Sequence, residues 1–450
     1  MSSLPLPRLF FLSLVLGGLL LSLSPIPSPS ANSAPPKHAL LTMWDEVLAQ
    51  VAKLRQLYPK RAIRHEVHDR SHIRMALREL MQNTLTPTEW EAERKALVKW
   101  GLLTKDFPLR PFVLALLTEQ VAGYYDPQRH TFFIADWLPE ALQKPVLIHE
   151  LVHALQDQYY QLQRNFGYVK GHADLTLAHR ALVEGDALAV MLAYMLQPFG
   201  LRLADLPSLD ALFQQPSSSL LPFGQRYAQA PLVIREQLLF PYTYGVAFVQ
   251  SALARGGWTY MDQVYRHPPT STEQILHHEK YFSPRPELPG TVVLNVPETL
   301  FRGAWRKQKH DVLGEFLLRV ILRQFLPAAE AQQSAAGWHG DRYELFERRS
   351  SQDLALISII AWDTRADATE FTLSYKKLLT RKYPDWTMSP EGKGAYLWQR
   401  GPTRVLLSQE GRLVHIVEGV YATDLPRLRQ LLAQVTIVSP QDTEKVRSTR

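Results

Sequence analysis

The pattern of apolar and polar positions divides the chain into a helical first part and a mixed last part. Between about His38 and Val121, apolar residues recur at helical spacing and predict a run of helices. Within it, 86–89 (Thr-Pro-Thr-Glu) has the threonine cap, first-turn proline and acid of a helix start. A further helix is predicted at about 111–120.

The middle of the chain predicts a hairpin and two long helices. Residues 123–134 favour two short strands around an Asp-Pro turn. Pro145 is expected to open the next helix, because a missing N–H costs nothing in a first turn. That helix should end near Gln161, and Asp174 is the expected cap of another that ends near Leu196.

The pattern changes again further along. Residues 206–221 are rich in Pro and Ser and predict a loop, 240–253 predict a helix, and 267–281 predict a turn and a short helix. Beyond about 289, helices are predicted at 312–326, 365–381 and 425–435, and strands at 291–296, 343–347, 354–362, 395–399, 404–407 and 413–418. This mix indicates a separate small α+β domain of unassigned role over 290–440, after a mostly helical domain over 37–289.

The first 36 residues are typical of a targeting segment rather than of a fold. Arg8 precedes an apolar run at 9–23, which is short for a membrane span of about 20 residues, and a Pro-rich stretch follows. Cleavage as a signal peptide and retention as a membrane anchor through 9–23 both remain open. Either outcome predicts that the rest of the chain lies outside the cytoplasm, secreted, periplasmic or membrane-anchored.

The composition of the chain excludes several kinds of site and several classes of enzyme. The chain has no cysteine, so any metal must be held by His, Asp or Glu, and cysteine proteases are excluded. The formal charge of +7 comes without a zinc knuckle or an aromatic-rich basic stripe, so no nucleic-acid partner is expected. The motifs of serine hydrolases and phosphate-binding loops, G-x-S-x-G and G-x-x-x-x-G-K, are missing.

Residues 149–153 (His-Glu-Leu-Val-His) carry the main chemical signal. On a helix, His149 and His153 share one face and can present two imidazoles to one metal ion. Glu150 lies beside them, within reach of a water that zinc would acidify. The rest of this helix is apolar, which predicts that the helix is buried. Burial of these polar residues would be costly unless they bind a partner such as a metal ion. The alternative is that His149 and His153 are structural residues of the core and that Glu150 lies at its solvent-exposed edge.

A catalytic zinc needs a third protein ligand. Glu184 and Asp186 interrupt an otherwise apolar helix, where an unpaired carboxylate is costly. We choose Glu184; Gly185 beside it would let this helix approach the one that carries His149. Asp186 lies about 200° around the helix from Glu184, which suits orienting a ligand histidine or pairing with an arginine. His172, His179 and Asp186 remain alternative third ligands.

Residues 149–158 (HELVHALQDQ), followed by 184–187 (EGDA), resemble gluzincin metallopeptidases, and among them exported bacterial proteins with an HELxHALQDQ…EGDA pattern. The stretches 123–127 (GYYDP), 242–245 (YTYG) and 268–277 (PPTSTEQILH) look similar to that group too, with a looser likeness at 337–343. The resemblance implies a zincin-like domain that holds one Zn²⁺ on His149, His153 and Glu184, with Glu150 as general base. Thermolysin-like enzymes place the third ligand nearer the motif than the 30 residues that separate His153 from Glu184 here.

Supporting roles follow less directly. The resemblance weakly implies that Asp157 supports the ligands. A hydrogen-bond donor to the tetrahedral intermediate, opposite the zinc, could come from Tyr242, Tyr244, His277 or His278. The alternative is that these four residues are structural. The strand near 131–135 is the candidate edge for pairing with an extended substrate, or else part of a core hairpin. Ser271 and Gln274 also fit a local helix cap.

The sequence thus predicts a zinc-dependent peptidase, with Glu150 activating a zinc-bound water against extracytoplasmic proteins or peptides. Two alternatives stay open: a catalytically inactive relative that binds an envelope partner, and a zinc amidohydrolase that acts on a cell-wall linkage. The intact Glu150 disfavours the first, since a structural site needs no general base.

Overall fold

The structure is a computed structural model that describes residues 11–14, 38–126, 129–209 and 225–438. The predicted signal or anchor segment therefore lies outside the described residues, apart from a strand at Phe11–Leu14. Most of the predicted loop at 206–221 lies outside them as well.

The chain is an α+β protein, helical in its first two thirds and rich in sheet thereafter. The helices are α1 (His38–Arg55), α2 (Arg70–Thr84), α3 (Pro87–Trp100), α4 (Leu109–Gln120), α5 (Glu140–Tyr160), α6 (Leu162–Asn165), α7 (Ala173–Leu196), α8 (Gln225–Gln229), α9 (Leu232–Arg266), α10 (Thr272–Leu276), α11 (His278–Phe282), α12 (Gly314–Arg323), α13 (Ala328–Ala335), α14 (Arg365–Lys382) and α15 (Leu425–Leu432). The strands are β1 (Phe11–Leu14), β2 (Arg64–His68), β3 (Val121–Asp126), β4 (Thr131–Ala135), β5 (Thr291–Val293), β6 (Trp305–Asp311), β7 (Trp338–Arg348), β8 (Leu354–Trp362), β9 (Thr387–Pro390), β10 (Ala395–Arg400), β11 (Thr403–Glu410), β12 (Leu413–Tyr421) and β13 (Thr436–Val438).

A four-stranded sheet, in the order β1-β3-β4-β2, precedes α5. β3 pairs antiparallel with both β1 and β4, whereas β2 runs parallel to β4. Every residue of β3 and β4 is buried. The prediction of β4 as a substrate-pairing edge is wrong, because β2 and β3 occupy both of its sides. β2 itself carries no apolar alternation in the sequence, and its pairing with β4 makes it a strand.

Helix α5 carries His149, Glu150 and His153 and begins earlier than predicted. It starts at Glu140, with Pro139 as its cap, so Pro145 lies inside the helix instead of opening it. The proline removes one backbone hydrogen bond and leaves the rest of the helix intact to Tyr160. Burial of its apolar residues along the length of the helix outweighs this local loss.

Helix α7 is the central helix of this part and carries Glu184 and Asp186. It ends at Leu196 as predicted, but its cap is His172, whose side chain accepts from the backbone N–H of Leu175, and not Asp174. Among the described residues, one stretch, Ala173–Phe199, has the length and apolar composition of a membrane span. Its most apolar window is 56% buried within the protein, and core helices of soluble proteins meet the same criterion.

Helices α7 and α9 cross in close contact. A Cβ atom built on Gly185 would lie 2.3 Å from the carbonyl carbon of Gly245 in α9, and one built on Gly245 would lie 2.2 Å from the carbonyl oxygen of Ala181. Gly185 therefore permits the approach of α9, and not of α5 as the sequence suggested. α5 and α1 also pack against α7.

The last part of the chain is built on a seven-stranded antiparallel sheet in the order β6-β7-β8-β12-β11-β10-β9. The helices predicted at 365–381 and 425–435 are α14 and α15, and the five strands predicted between 343 and 418 are all found. The prediction missed β6, β9, β13 and α13. One hydrophobic cluster includes residues from both sides of the predicted boundary at 289/290, for example Leu188 and Ile416.

Candidate metal centre

Three ligand-type side chains converge between α5 and α7. The Nε2 atom of His149 lies 3.2 Å from Oε2 of Glu184, and Nε2 of His153 lies 3.4 Å from the same oxygen. The two Nε2 atoms are 3.1 Å apart. Two ligands of a tetrahedral zinc, each about 2.0–2.1 Å from the ion, are separated by about 3.3 Å. The three atoms thus have the spacing that one such ion requires.

Local structure explains why these atoms meet. His149 and His153 are one turn apart on α5, with ring centroids 4.7 Å apart and ring planes at 84°. Glu184 enters from α7, which packs against α5. All three residues are buried, at 5%, 0% and 1% exposure. Burying two imidazoles and a carboxylate without a shared cation is costly, so the donor set fits a metal ion.

The electrostatics of the triad favour an ionised carboxylate. Burial opposes the charge on Glu184, but the two histidines outweigh it and hold the pKa of the carboxyl well below its ordinary value. Burial also opposes the charge on His153, yet Glu184 raises the pKa of that imidazole to about 9. The pKa of His149 is lowered, chiefly by burial. Glu184 is therefore in the form that binds metal at neutral pH.

Glu150 lies on α5 between the two histidines in sequence and is fully buried. Its negative charge acts on His153, where it helps to raise the pKa of the imidazole. Tyr242, buried on α9, has its ring centroid 6.3 Å from that of His149. Both of these predicted catalytic candidates therefore interact with a histidine of the triad.

Behind the triad lies a buried polar network. Oε1 of Gln156 is 2.8 Å from Nδ1 of His153, and its amide nitrogen donates to Asp186 Oδ2 at 2.9 Å. Asp186 also accepts from Tyr265 at 3.0 Å and pairs with Arg55 of α1, Nε to Oδ1, at 3.0 Å. Asp186 thus contacts an arginine and a glutamine that contacts His153. It belongs neither to the triad nor to the second group of metal-ligand-type side chains among the described residues, Glu287, His339 and Asp363.

The other candidate residues lie elsewhere. Asp157 accepts from Tyr125 and Arg61. Tyr244 packs beside Phe240. The remaining candidates have these partners: His277 with Glu315, His278 with Ser251, His172 with the start of α7, and His179 with the Phe166 ring.

The motif at 268–277 links the helical part to the sheet part. Ser271 caps α10 by accepting from the Gln274 N–H, as the local pattern predicted. The neighbouring Thr272 donates to the buried Asp174 and accepts from the backbone N–H of Phe316 in α12. This motif therefore has a structural role in the described residues.

Sequence reasoning missed Arg55, Gln156 and Tyr265. Gln156 offered a signal, since it is an amide in the apolar run of α5. Arg55 offered none, because its partner Asp186 lies 131 residues away along the chain.

Comparison with known proteins adds one match. Residues 299–429 match the family model described as a domain of unknown function, DUF8575, which covers the sheet-rich part and not the metal-type triad. No curated protein and no solved structure matches the chain.

Proposed function

We propose that the chain is a zinc-dependent peptidase of the gluzincin type that acts on proteins or peptides outside the cytoplasm. The observation that carries the proposal is the convergence of His149, His153 and Glu184 at 3.1–3.4 Å in a buried site. Two imidazoles and one carboxylate are the ligand set of zinc peptidases that leave a fourth position for water or substrate. The likeness to gluzincins at 149–158 and 184–187 supports the same reading.

The ion, when bound to the triad, would supply Lewis-acid chemistry and acidify a water. Glu150 would accept the proton of that water and deliver it to the departing amine, which is general base and then general acid catalysis. Tyr242, whose ring centroid lies 6.3 Å from that of His149, would be the donor to a developing oxyanion. Burial of all four side chains would exclude competing water.

Substrate pairing is proposed at β3. This strand is buried, contacts α5, and pairs on its outer side with the backbone of Phe11–Leu14 in antiparallel register. That pairing indicates that the β3 edge accepts an extended segment. A substrate would bind in the place of residues 11–14.

The test combines metal content with hydrolysis. Purified wild-type chain should hold about one zinc and cleave an unfolded protein. Glu150→Gln should keep the zinc and lose about 10²- to 10⁴-fold in rate, because only the general base is removed. Glu184→Gln should lose both. Glu315→Gln is the matched control, since Glu315 is also buried against a histidine, His277, and lies outside the triad.

Each outcome separates the candidate functions. Full activity in Glu150→Gln would exclude catalysis as the function and favour an envelope binding protein. Turnover of cell-wall fragments in place of unfolded protein would favour a zinc amidohydrolase. A wild-type chain that holds no zinc after zinc is added would contradict all three zinc-based functions.

The extracytoplasmic location rests on residues 1–36 and stays a proposal. The test is fractionation of cells that express the full chain or a variant. In the variant, Arg8 is replaced and the apolar run at 9–23 is made polar. Retention of both chains in the cytoplasmic fraction would contradict it.

A further inference from the structure

The contacts of Gln156 fix the direction of its amide group. Its nitrogen lies 3.1 Å from the carbonyl oxygen of Val183 and 2.9 Å from Oδ2 of Asp186. A backbone carbonyl and a carboxylate only accept hydrogen bonds, so the NH₂ end of Gln156 must face them. The hydroxyl of Tyr265, 2.9 Å from the same nitrogen, donates its own hydrogen to Asp186 and accepts here as well.

The carbonyl end of Gln156 therefore faces His153. Oε1 of Gln156 can only accept, and it lies 2.8 Å from Nδ1 of His153, so Nδ1 must carry a hydrogen. In the neutral imidazole, Nε2 is then the unprotonated nitrogen, with its lone pair directed toward His149 and Glu184. The amide thus selects the tautomer that can bind a metal at the triad.

Asp186 and Arg55 hold that amide in place. Asp186 is fully buried and pairs with Arg55, which is also fully buried and enters from α1. Arg55 makes a second ion pair with Asp262 at 3.0 Å, and its guanidinium lies 5.2 Å from the Trp258 ring centroid. With Arg55 held by these contacts, Asp186 is held in the position where its Oδ2 accepts from the amide nitrogen of Gln156.

We propose that Gln156 is a positioning residue for the metal centre, and that Asp186 and Arg55 fix its orientation. The chain of contacts runs from α1 through α7 to His153 on α5, so α1 is part of the metal centre although it supplies no ligand. This inference rests on metal binding by the triad, which is one part of the proposed function, and does not depend on peptide hydrolysis.

The test is zinc affinity, measured on the purified full chain by competition with a chromophoric chelator. Gln156→Leu keeps the volume of the side chain and removes its hydrogen bonds. We expect zinc affinity to fall about 10- to 100-fold, as for other outer partners of ligand histidines. The visible absorption of the Co²⁺-loaded chain should change too, because the geometry at His153 changes.

Gln143→Leu is the matched control. Gln143 is also a buried glutamine on α5, and its amide donates to the carbonyl oxygen of Leu138, away from the triad. It should lose stability without a change in zinc affinity or in the Co²⁺ spectrum. A purely structural role for Gln156 would give the same result in both variants.

Asp186→Asn is the second variant, and it tests the positioning role of Gln156 if Gln156→Leu does not fold. Its new NH₂ group can face Gln156 and turn that amide, so zinc affinity should fall at least threefold. Wild-type zinc affinity and Co²⁺ spectra in the folded variants would overturn the inference and leave the proposed function standing. A wild-type chain without zinc would overturn both.

Discussion

Arg55 and Asp186 form a completely buried ion pair directly behind the candidate metal centre, with 3.0 Å between Nε and Oδ1. Burial is the largest single effect on Arg55 and opposes its charge, but Asp186, Tyr160, Tyr265 and Asp262 together outweigh burial and raise the pKa of the guanidinium above its ordinary value. A buried ion pair is costly to break, because removal of one partner leaves the other charge unpaired. The pair should therefore couple α1 to α7 strongly.

A double-mutant cycle measures that coupling. Arg55→Leu should lower the free energy of unfolding by about 3–5 kcal/mol, because it leaves the buried Asp186 without its cation. Asp186→Leu should lower it by less, because Arg55 keeps its ion pair with Asp262. The double variant should lose about 1–3 kcal/mol less than the sum of the two, as judged by chemical unfolding. The exposed pair Arg202–Asp205 is the control and should show no measurable coupling. Strict additivity at Arg55 and Asp186 would contradict the prediction.

Zinc should stabilise the folded chain. A metal that binds only the folded state adds about 2.7 kcal/mol to the unfolding free energy when its free concentration is 100 times Kd. Thermal unfolding with and without a chelator should show this difference in the wild type and in Glu315→Gln. Glu184→Gln should unfold at the same temperature in both conditions; a zinc-dependent shift in that variant would remove Glu184 from the ligand set.

Asp174 should make stability fall as pH rises. Its burial raises the pKa of the carboxyl from 3.8 to about 8, with Glu315 and Asp341 adding to the effect and hydrogen bonds from Thr272 opposing it. Between about pH 4 and pH 8 the folded state keeps a proton that the unfolded state has released. The unfolding free energy therefore decreases through this window, by at most about 1.4 kcal/mol per pH unit from this group.

Asp174→Asn should flatten that profile, because the amide still accepts from Thr272 and does not titrate. Chemical unfolding at a series of pH values between 4 and 8 measures it. Asp205→Asn is the control, since Arg202 lowers the pKa of the exposed Asp205 and that group titrates below the window. An unchanged slope in Asp174→Asn would show that Asp174 is ionised in the folded protein throughout.

The crossing of α7 and α9 should be sensitive to a single methyl group. A Cβ at residue 245 would lie 2.2 Å from the carbonyl oxygen of Ala181, a backbone atom that cannot rotate away. Gly245→Ala should cost about 1–3 kcal/mol or more and should also weaken zinc binding, because α7 carries Glu184 close to the contact. Gly411→Ala, at an open position with φ +59°, should lose stability by backbone strain alone and keep wild-type zinc affinity. Equal zinc affinity in the two variants would contradict this prediction.

The sequence by itself determined those features that depend on local period and composition. The four-residue spacing of His149 and His153 puts both on one face of any helix, and an apolar run makes that helix a buried one. The acids at 184 and 186 stood out because an apolar helix rarely carries charge. The capping box at Thr86 and Glu89 and the five strands predicted between 343 and 418 were equally local, and the structure has them.

Tertiary structure alone decided the rest, since each case depends on groups distant in sequence. β2 is a strand because it pairs with β4. Pro145 lies within a helix because burial of α5 outweighs one lost hydrogen bond. Asp186 faces Arg55, 131 residues away, and that contact turns Gln156 toward His153. A side chain's hydrogen-bond direction follows from its neighbours in space, and no spacing along the chain encodes them.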